Sequence, residues 1–174
     1  VSCGKVQANI KGISADEFPV IPEPDQENRV RMEPAVLKRV ISQVAFAAAS
    51  DDSRPSLTGV STTFAGNRVV MAATDGFRLS VRSAHIAGYV ERPFNVIIPA
   101  RALNEVARIL SDDLEAVYIS MPSGRNQIIF DMDNVLLVSQ LIDGKFPDYQ
   151  PIIPQRHNTR TVLGTADFAK ACRT

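Results

Sequence analysis

Tryptophan is absent from the chain, cysteine occurs only as Cys3 and Cys172, and no apolar run approaches the roughly 18 residues that a membrane span requires. The two cysteines lie near opposite ends without Cys-x-x-Cys spacing, which excludes a disulfide framework and a zinc-ligand pattern and makes a reducing compartment the expectation. The N-terminus has neither the charged nor the apolar region of a signal peptide, so a soluble, cytoplasmic protein is expected. An excess of one charge is also lacking, because 19 basic residues balance 19 acidic ones. Any contact with nucleic acid would therefore have to be local.

Catalytic signatures are equally scarce. Gly144-Lys145 lacks the preceding glycine at P-loop spacing, and Phe146 follows where Ser or Thr should stand. Asp131-Met132-Asp133-Asn134 begins like a calcium loop, but Leu136 takes the place of the obligatory glycine and no Glu arrives at the final ligand position. His85 and His157 have no acidic or cysteine partner at ligand spacing, and no Gly-x-Ser-x-Gly elbow occurs. Asp51-Asp52, beside Ser53 and Pro55, reads as a solvated loop rather than a catalytic pair. The expectation is a non-enzymatic protein without metal or cofactor. A metal-dependent nuclease or hydrolase, and a peptide-binding adaptor independent of DNA, are the alternatives.

What the chain does contain is a regular alternation of elements. A helix is predicted from 34 to about 49, with Pro34 in its first turn and Val36, Leu37, Val40, Ile41, Val44 and Ala48 at helical spacing; Lys38, Arg39, Ser42 and Gln43 form its other face. A second helix follows Pro99 to about 111, with Ala102, Leu103, Val106, Ile109 and Leu110 inward and Arg101, Asn104, Glu105 and Arg108 outward. Strands are predicted over 5–10, 29–32, 57–64, 68–73, 77–82, 95–98, 116–121, 127–132 and 135–141. Gly66-Asn67 separates two of them, and Asp75-Gly76 predicts a hairpin with a tight primed turn. Pro122-Ser123-Gly124 and Asp133-Asn134 connect the last three as a meander. The class is α+β, built as two similar halves of one helix and several antiparallel strands.

A longer period is visible too. Phe18-Pro19-Val20-Ile21-Pro22 recurs as Phe146-Pro147 and then, after an insertion, Ile152-Ile153-Pro154, a separation of about 130 residues typical of a domain repeat. Each copy follows a strand and precedes a polar stretch and a helix, Val36-Leu37-Lys38 in one and Asp167-Phe168-Ala169-Lys170 in the other. The chain starts without Met and stops inside a helix-like run, so a piece of a longer polypeptide is expected.

Three strings, Arg54-Pro55-Ser56-Leu57-Thr58-Gly59-Val60, Ala73-Thr74-Asp75-Gly76-Phe77-Arg78-Leu79 and Asp143-Gly144-Lys145-Phe146-Pro147-Asp148-Tyr149, together resemble the bacterial sliding clamp family, the beta subunit of DNA polymerase III. The resemblance implies the DNA-clamp fold, two helices packed on antiparallel β-sheets with a pseudo-two-fold repeat. It implies a non-catalytic processivity factor, three such domains per subunit, and a head-to-tail homodimeric ring around duplex DNA whose hole is lined by helices. Residues 1–22 would be the tail of the first domain, 23–156 the whole middle domain and 157–174 the start of the third. Lys38, Arg39, Arg101 and Arg108 would face DNA phosphates without reading bases. The DNA polymerase III catalytic subunit, the clamp loader and repair proteins would bind through a short peptide. The pocket for it, carried over by position, comprises Arg54, Leu57, Thr74, Gly76, Phe77, Arg78, Leu79, Pro147 and Ile152. Phe77 stands where related clamps often have His, and Pro151 where a basic residue can occur, which implies a more apolar pocket. Half of that site and no ring interface would be present, which allows the fragment to be monomeric.

Overall fold

The computed structural model describes every residue except Val1, Pro19, Asp52, Asp112 and Thr174. Its strands are β1 (Ser2–Cys3), β2 (Val6–Gln7), β3 (Arg29–Met32), β4 (Gly59–Thr74), β5 (Leu79–Pro99), β6 (Val117–Ser120), β7 (Gln127–Met132) and β8 (Val135–Gln140). Its α-helices are α1 (Pro34–Val44), α2 (Ala100–Ile109) and α3 (Thr165–Ala171). The chain is α+β, with an antiparallel six-stranded sheet in the order β4-β5-β3-β6-β7-β8 and β1-β2 as a separate pair.

The two halves share one pattern of strand, helix and three further strand segments, and their pairing is reciprocal. The first strand of one half, β3, pairs with β6, the strand after the second helix. The first strand of the other half, the end of β5, pairs with the start of β4 after the first helix, from Gly59↔Pro99 to Phe64↔Phe94. Helix starts are equally matched, with Pro34 opening α1 and Pro99 immediately before α2. Leu37 and Leu103, each the fourth residue of its helix, are both fully buried. They enter a single core with Val40, Ile41, Val44, Val106, Val60, Phe64, Met71, Ile98 and Phe130. Burying one such leucine contributes about 1.5–3 kcal/mol.

Several predicted boundaries move. The strands expected on either side of Gly66-Asn67 form one strand, β4, whose register shifts at Gly66, where φ is 57°. Residues 83–94, which alternation left unassigned, belong to β5, because Arg68↔His85 and Gly66↔Val90 pair there and Ala87 reaches Arg31 of β3. The first helix leaves α geometry at Val44 and continues as a 3-10 turn over Ala45–Ala47, and the strand expected from 57 begins at Gly59 after the 3-10 turn Pro55–Leu57. Over 5–10 only Val6–Gln7 is strand.

The ends add little to the core. All described residues from 2 to 21 are exposed, as is nearly all of 150–173, including α3. Pro22, by contrast, is buried. Among the described residues no helix is long and apolar enough to cross a membrane.

Candidate peptide-binding hairpin and basic helix face

The hairpin between β4 and β5 is closed by the pair Thr74↔Leu79, which leaves four residues, Asp75 to Arg78, in the loop. The tight primed turn expected from Asp75-Gly76 is therefore corrected to a longer loop, and the Asp75 side chain is the physical reason. Asp75 Oδ1 accepts from the N–H groups of Phe77 (2.9 Å) and Arg78 (3.0 Å), and Oδ2 accepts from Arg78 Nε at 3.0 Å. Thr74 closes the base, its Oγ1 donating to the Arg78 carbonyl at 2.7 Å and accepting from Gly76 N at 3.0 Å. The bonds from the Arg78 and Phe77 amides, with the Arg78 charge in support, hold the Asp75 carboxyl below the usual carboxylate range.

Arg54 reaches this loop from a different element. The 3-10 turn Pro55–Leu57 is tied by Leu57 N to Arg54 O (2.9 Å) and by Ala49 N to Leu57 O (2.8 Å), with Leu57 buried beneath it. Arg54 Nη2 donates to the Asp75 carbonyl at 3.0 Å. Gly76 is required here by its φ of 96°; a Cβ would also lie 3.1 Å from Arg54 Nη1, so the guanidinium would have to give by a few tenths of an ångström. On the other side, Arg78 lies over the Phe46 ring at 5.6 Å, and Ser80 Oγ donates to the Gln43 carbonyl at 2.6 Å, fastening the hairpin to the end of α1.

Of the nine residues assigned to the pocket by resemblance, the structure thus brings Arg54, Thr74, Gly76 and Arg78 into one bonded cluster. Leu79 is half-buried at the base, and Leu57 lies under Arg54's turn. Phe77 projects outward, 95% exposed. Pro147 is exposed, but its neighbour Phe146 packs on Ala72 and Ile97, which carries the segment past β4 two residues from Thr74. Ile152 is 69% exposed on the 3-10 turn Gln150–Ile152, of which Pro151 is the exposed middle residue. Two contributors escaped the sequence reading. Asp75 reads from the sequence only as a turn residue, although an Asp followed by two amides in a loop is the signature of an Asx turn; Phe46 falls inside the predicted helix but off its apolar stripe, and nothing in the spacing marks it.

The helix face shows a similar division. Lys38 Nζ donates to the Leu110 carbonyl at 2.9 Å, where α2 ends. This sets the first half of α1 beside the C-terminal end of α2, as in an antiparallel pair, and places the exposed Lys38 ammonium near the negative end of that helix. Arg108 pairs with Glu105 at 2.8 Å. Arg39 and Arg101 are exposed and have no ion-pair partner among the described residues.

Elsewhere, a cavity of about 680 Å³ opens where β3, β5 and β6 diverge, lined by Arg29, Tyr89, Glu91, Arg92, Phe94 and Met121 among others. His85 pairs with Arg68 inside the β4-β5 ladder, and His157 is exposed. Asp52 of the Asp51-Asp52 pair lies outside the described residues; Asp51 bonds Ser53 N at 2.7 Å as a loop cap. No group of His, Cys, Asp and Glu suited to a metal ion occurs among the described residues.

A doubled strand-helix-strand unit, with adjacent helices on a shared antiparallel sheet, defines a clamp-type domain. The family description "DNA polymerase III beta subunit, central domain" matches residues 31–148, and this chain belongs to that family. It is 34% identical over 171 residues to the beta sliding clamp of Bacillus subtilis, covering 98% of this chain and 45% of the relative. The crystal structure of the Bacillus subtilis DNA polymerase sliding clamp superposes with a TM-score of 0.87 at 35% identity, over 98% of this chain and 44% of that one. The beta subunit from the DNA polymerase of Streptococcus pyogenes gives 0.84 at 28% identity, over 99% and 46%. The chain therefore spans about half the length of the curated relatives it matches.

Proposed function

We propose that the protein to which this chain contributes is a replication processivity factor: a non-catalytic, cytoplasmic clamp that encircles duplex DNA and tethers the replicative polymerase. Residues 23–156 serve as its middle domain, 1–22 as the end of the preceding domain and 157–174 as the start of the next. The match of 31–148 to a central domain supports this division, as do the exposed ends. Arg39 and Arg101 supply diffuse attraction to phosphates, which suits a protein that must slide. The polymerase catalytic subunit, the clamp loader and repair proteins dock a short peptide at the hairpin, with Leu57, Leu79, Pro147 and Ile152 providing apolar contact and Arg54 bonding peptide acceptors.

The observation that carries the reading is the convergence of Arg54, Thr74, Gly76 and Arg78, from two separate family strings, on one loop beside the end of the domain. The test is a chimaera of the Bacillus subtilis clamp carrying residues 23–156 of this chain, loaded on primed circular DNA with its polymerase. Processive synthesis is expected, and Arg54→Ala in the chimaera should reduce it. A chimaera that forms a ring yet gives only distributive synthesis would overturn the proposal.

A further inference from the structure

The hairpin loop contains two arginine-centred arrangements of different kinds. Arg54 meets this loop through the Asp75 backbone carbonyl alone, by one Nη2 donor; outside the loop it feels the exposed Asp51 carboxylate, with which it makes no ion pair, so its charge is only weakly matched. Arg78 is matched: its Nε lies 3.0 Å from Asp75 Oδ2, and its guanidinium rests over Phe46. Asp75 is the better buried of this pair, its side chain 23% exposed against 58% for Arg78. The same carboxylate accepts two loop amides, so it cannot swing away from Arg78 without opening the loop.

We infer that Asp75 is a specificity-determining residue of the peptide site: by pairing with Arg78 it makes that arginine electrically neutral toward a ligand, leaving Arg54 as the cation that selects. This rests on the hairpin being the peptide site, and deepens that reading. The favoured occupant is a largely apolar peptide whose backbone carbonyls, and at most one carboxylate, meet Arg54; acidic residues placed over Arg78 gain little. At the short range and partial exposure of this loop, one unmatched charge changes affinity for a singly charged peptide by about fivefold.

The test uses the Bacillus subtilis clamp chimaera carrying residues 23–156 of this chain as the parent, and a fluorescein-labelled peptide with Leu and Phe anchors, prepared in neutral form and with a single Asp scanned through each position. The quantity read is the ratio of acidic to neutral affinity at the most responsive position. Asp75→Asn keeps the Oδ1 acceptor for both loop amides and should raise the ratio about fivefold. Arg78→Gln should lower it by a similar factor, and the double variant should return it to within twofold of the parent. A merely structural role would weaken both peptides alike and leave the ratio still. Ratios unmoved by both single variants, with the parent binding normally, would overturn the inference; failure of the parent to bind any peptide would instead overturn the peptide-site reading.

Discussion

The domain contains two hairpins at the same place in its repeat, and they differ in what their loops hold. Between β7 and β8 the pair Met132↔Val135 leaves two residues, Asp133 and Asn134, with Asp133 at φ 61° and its carboxylate bonded only by Asn134 Nδ2 at 2.8 Å. Between β4 and β5 the loop has four residues, and its aspartate binds two amides and an arginine while its carbonyl receives a second arginine from a distant turn. The shared repeat supplies the frame for both. The difference lies in the two additional residues, which give the loop room to order side chains, and in Arg54, which reaches this loop; on the proposed reading it is there that peptide binding enters.

If the halves are equivalent as frames, equivalent core deletions should cost alike. Leu37→Ala and Leu103→Ala, at matched and fully buried positions, should each lower unfolding free energy by about 2–5 kcal/mol in urea titrations. A negligible loss at either would break the equivalence. A smaller effect is expected at the simple hairpin: Asp133→Val forces a β-branched residue to positive φ and should cost about 1–2 kcal/mol while peptide affinity stays unchanged.

At the elaborate hairpin the balance reverses. Arg54→Ala should weaken peptide binding about tenfold, equivalent to about 1.4 kcal/mol, with little change in melting temperature, because the side chain is exposed and makes one bond. On the helices, Lys38→Met should cost about 1 kcal/mol of stability through the lost bond to Leu110, whereas Arg39→Met should stay within about 0.5 kcal/mol and instead flatten the salt dependence of DNA retention in a full ring. The smallest effect is that of acid. Because the Asp75 carboxyl is held low when folded, its contribution is complete above the ordinary carboxylate value of about 4, declines below it and vanishes as the pH falls through the lower folded value. Protection of the Phe77 and Arg78 amides, taken relative to the intrinsic exchange rate at each pH, should therefore fall in that acid range, and Asp75→Asn should remove the titration.

Much of this architecture could be read from residue spacing. The stripes of α1 and α2 identified their buried faces, because each turn of a helix meets the core in a regular way. The meander β6-β7-β8 followed from Gly124 and Asp133-Asn134. Residues 83–94 were missed because β5 there pairs with short, interrupted partners at Gly66 and Arg31, so no face is consistently buried and no alternation develops. The family strings contain Asp75 beside Arg54, Gly76 and Arg78, and its Asx turn was open to a local reading; the bond from Arg54 to its carbonyl was not, since that depends on how two separate elements meet. Lys38 does lie on the exposed face expected of it, but its bond to the Leu110 carbonyl, 72 residues away, left no mark in the spacing.

The most direct measurement is amide chemical-shift mapping of this chain, labelled with nitrogen-15, during titration with an anchor-bearing clamp peptide. Saturable shifts are expected at Arg54, Thr74, Gly76, Phe77 and Arg78, with Asp133 and Asn134 of the sister hairpin unaffected. Shifts that leave the Asp75 loop still and gather instead at Arg29, Tyr89 and Glu91, around the cavity between β3 and β5, would contradict the peptide-site reading.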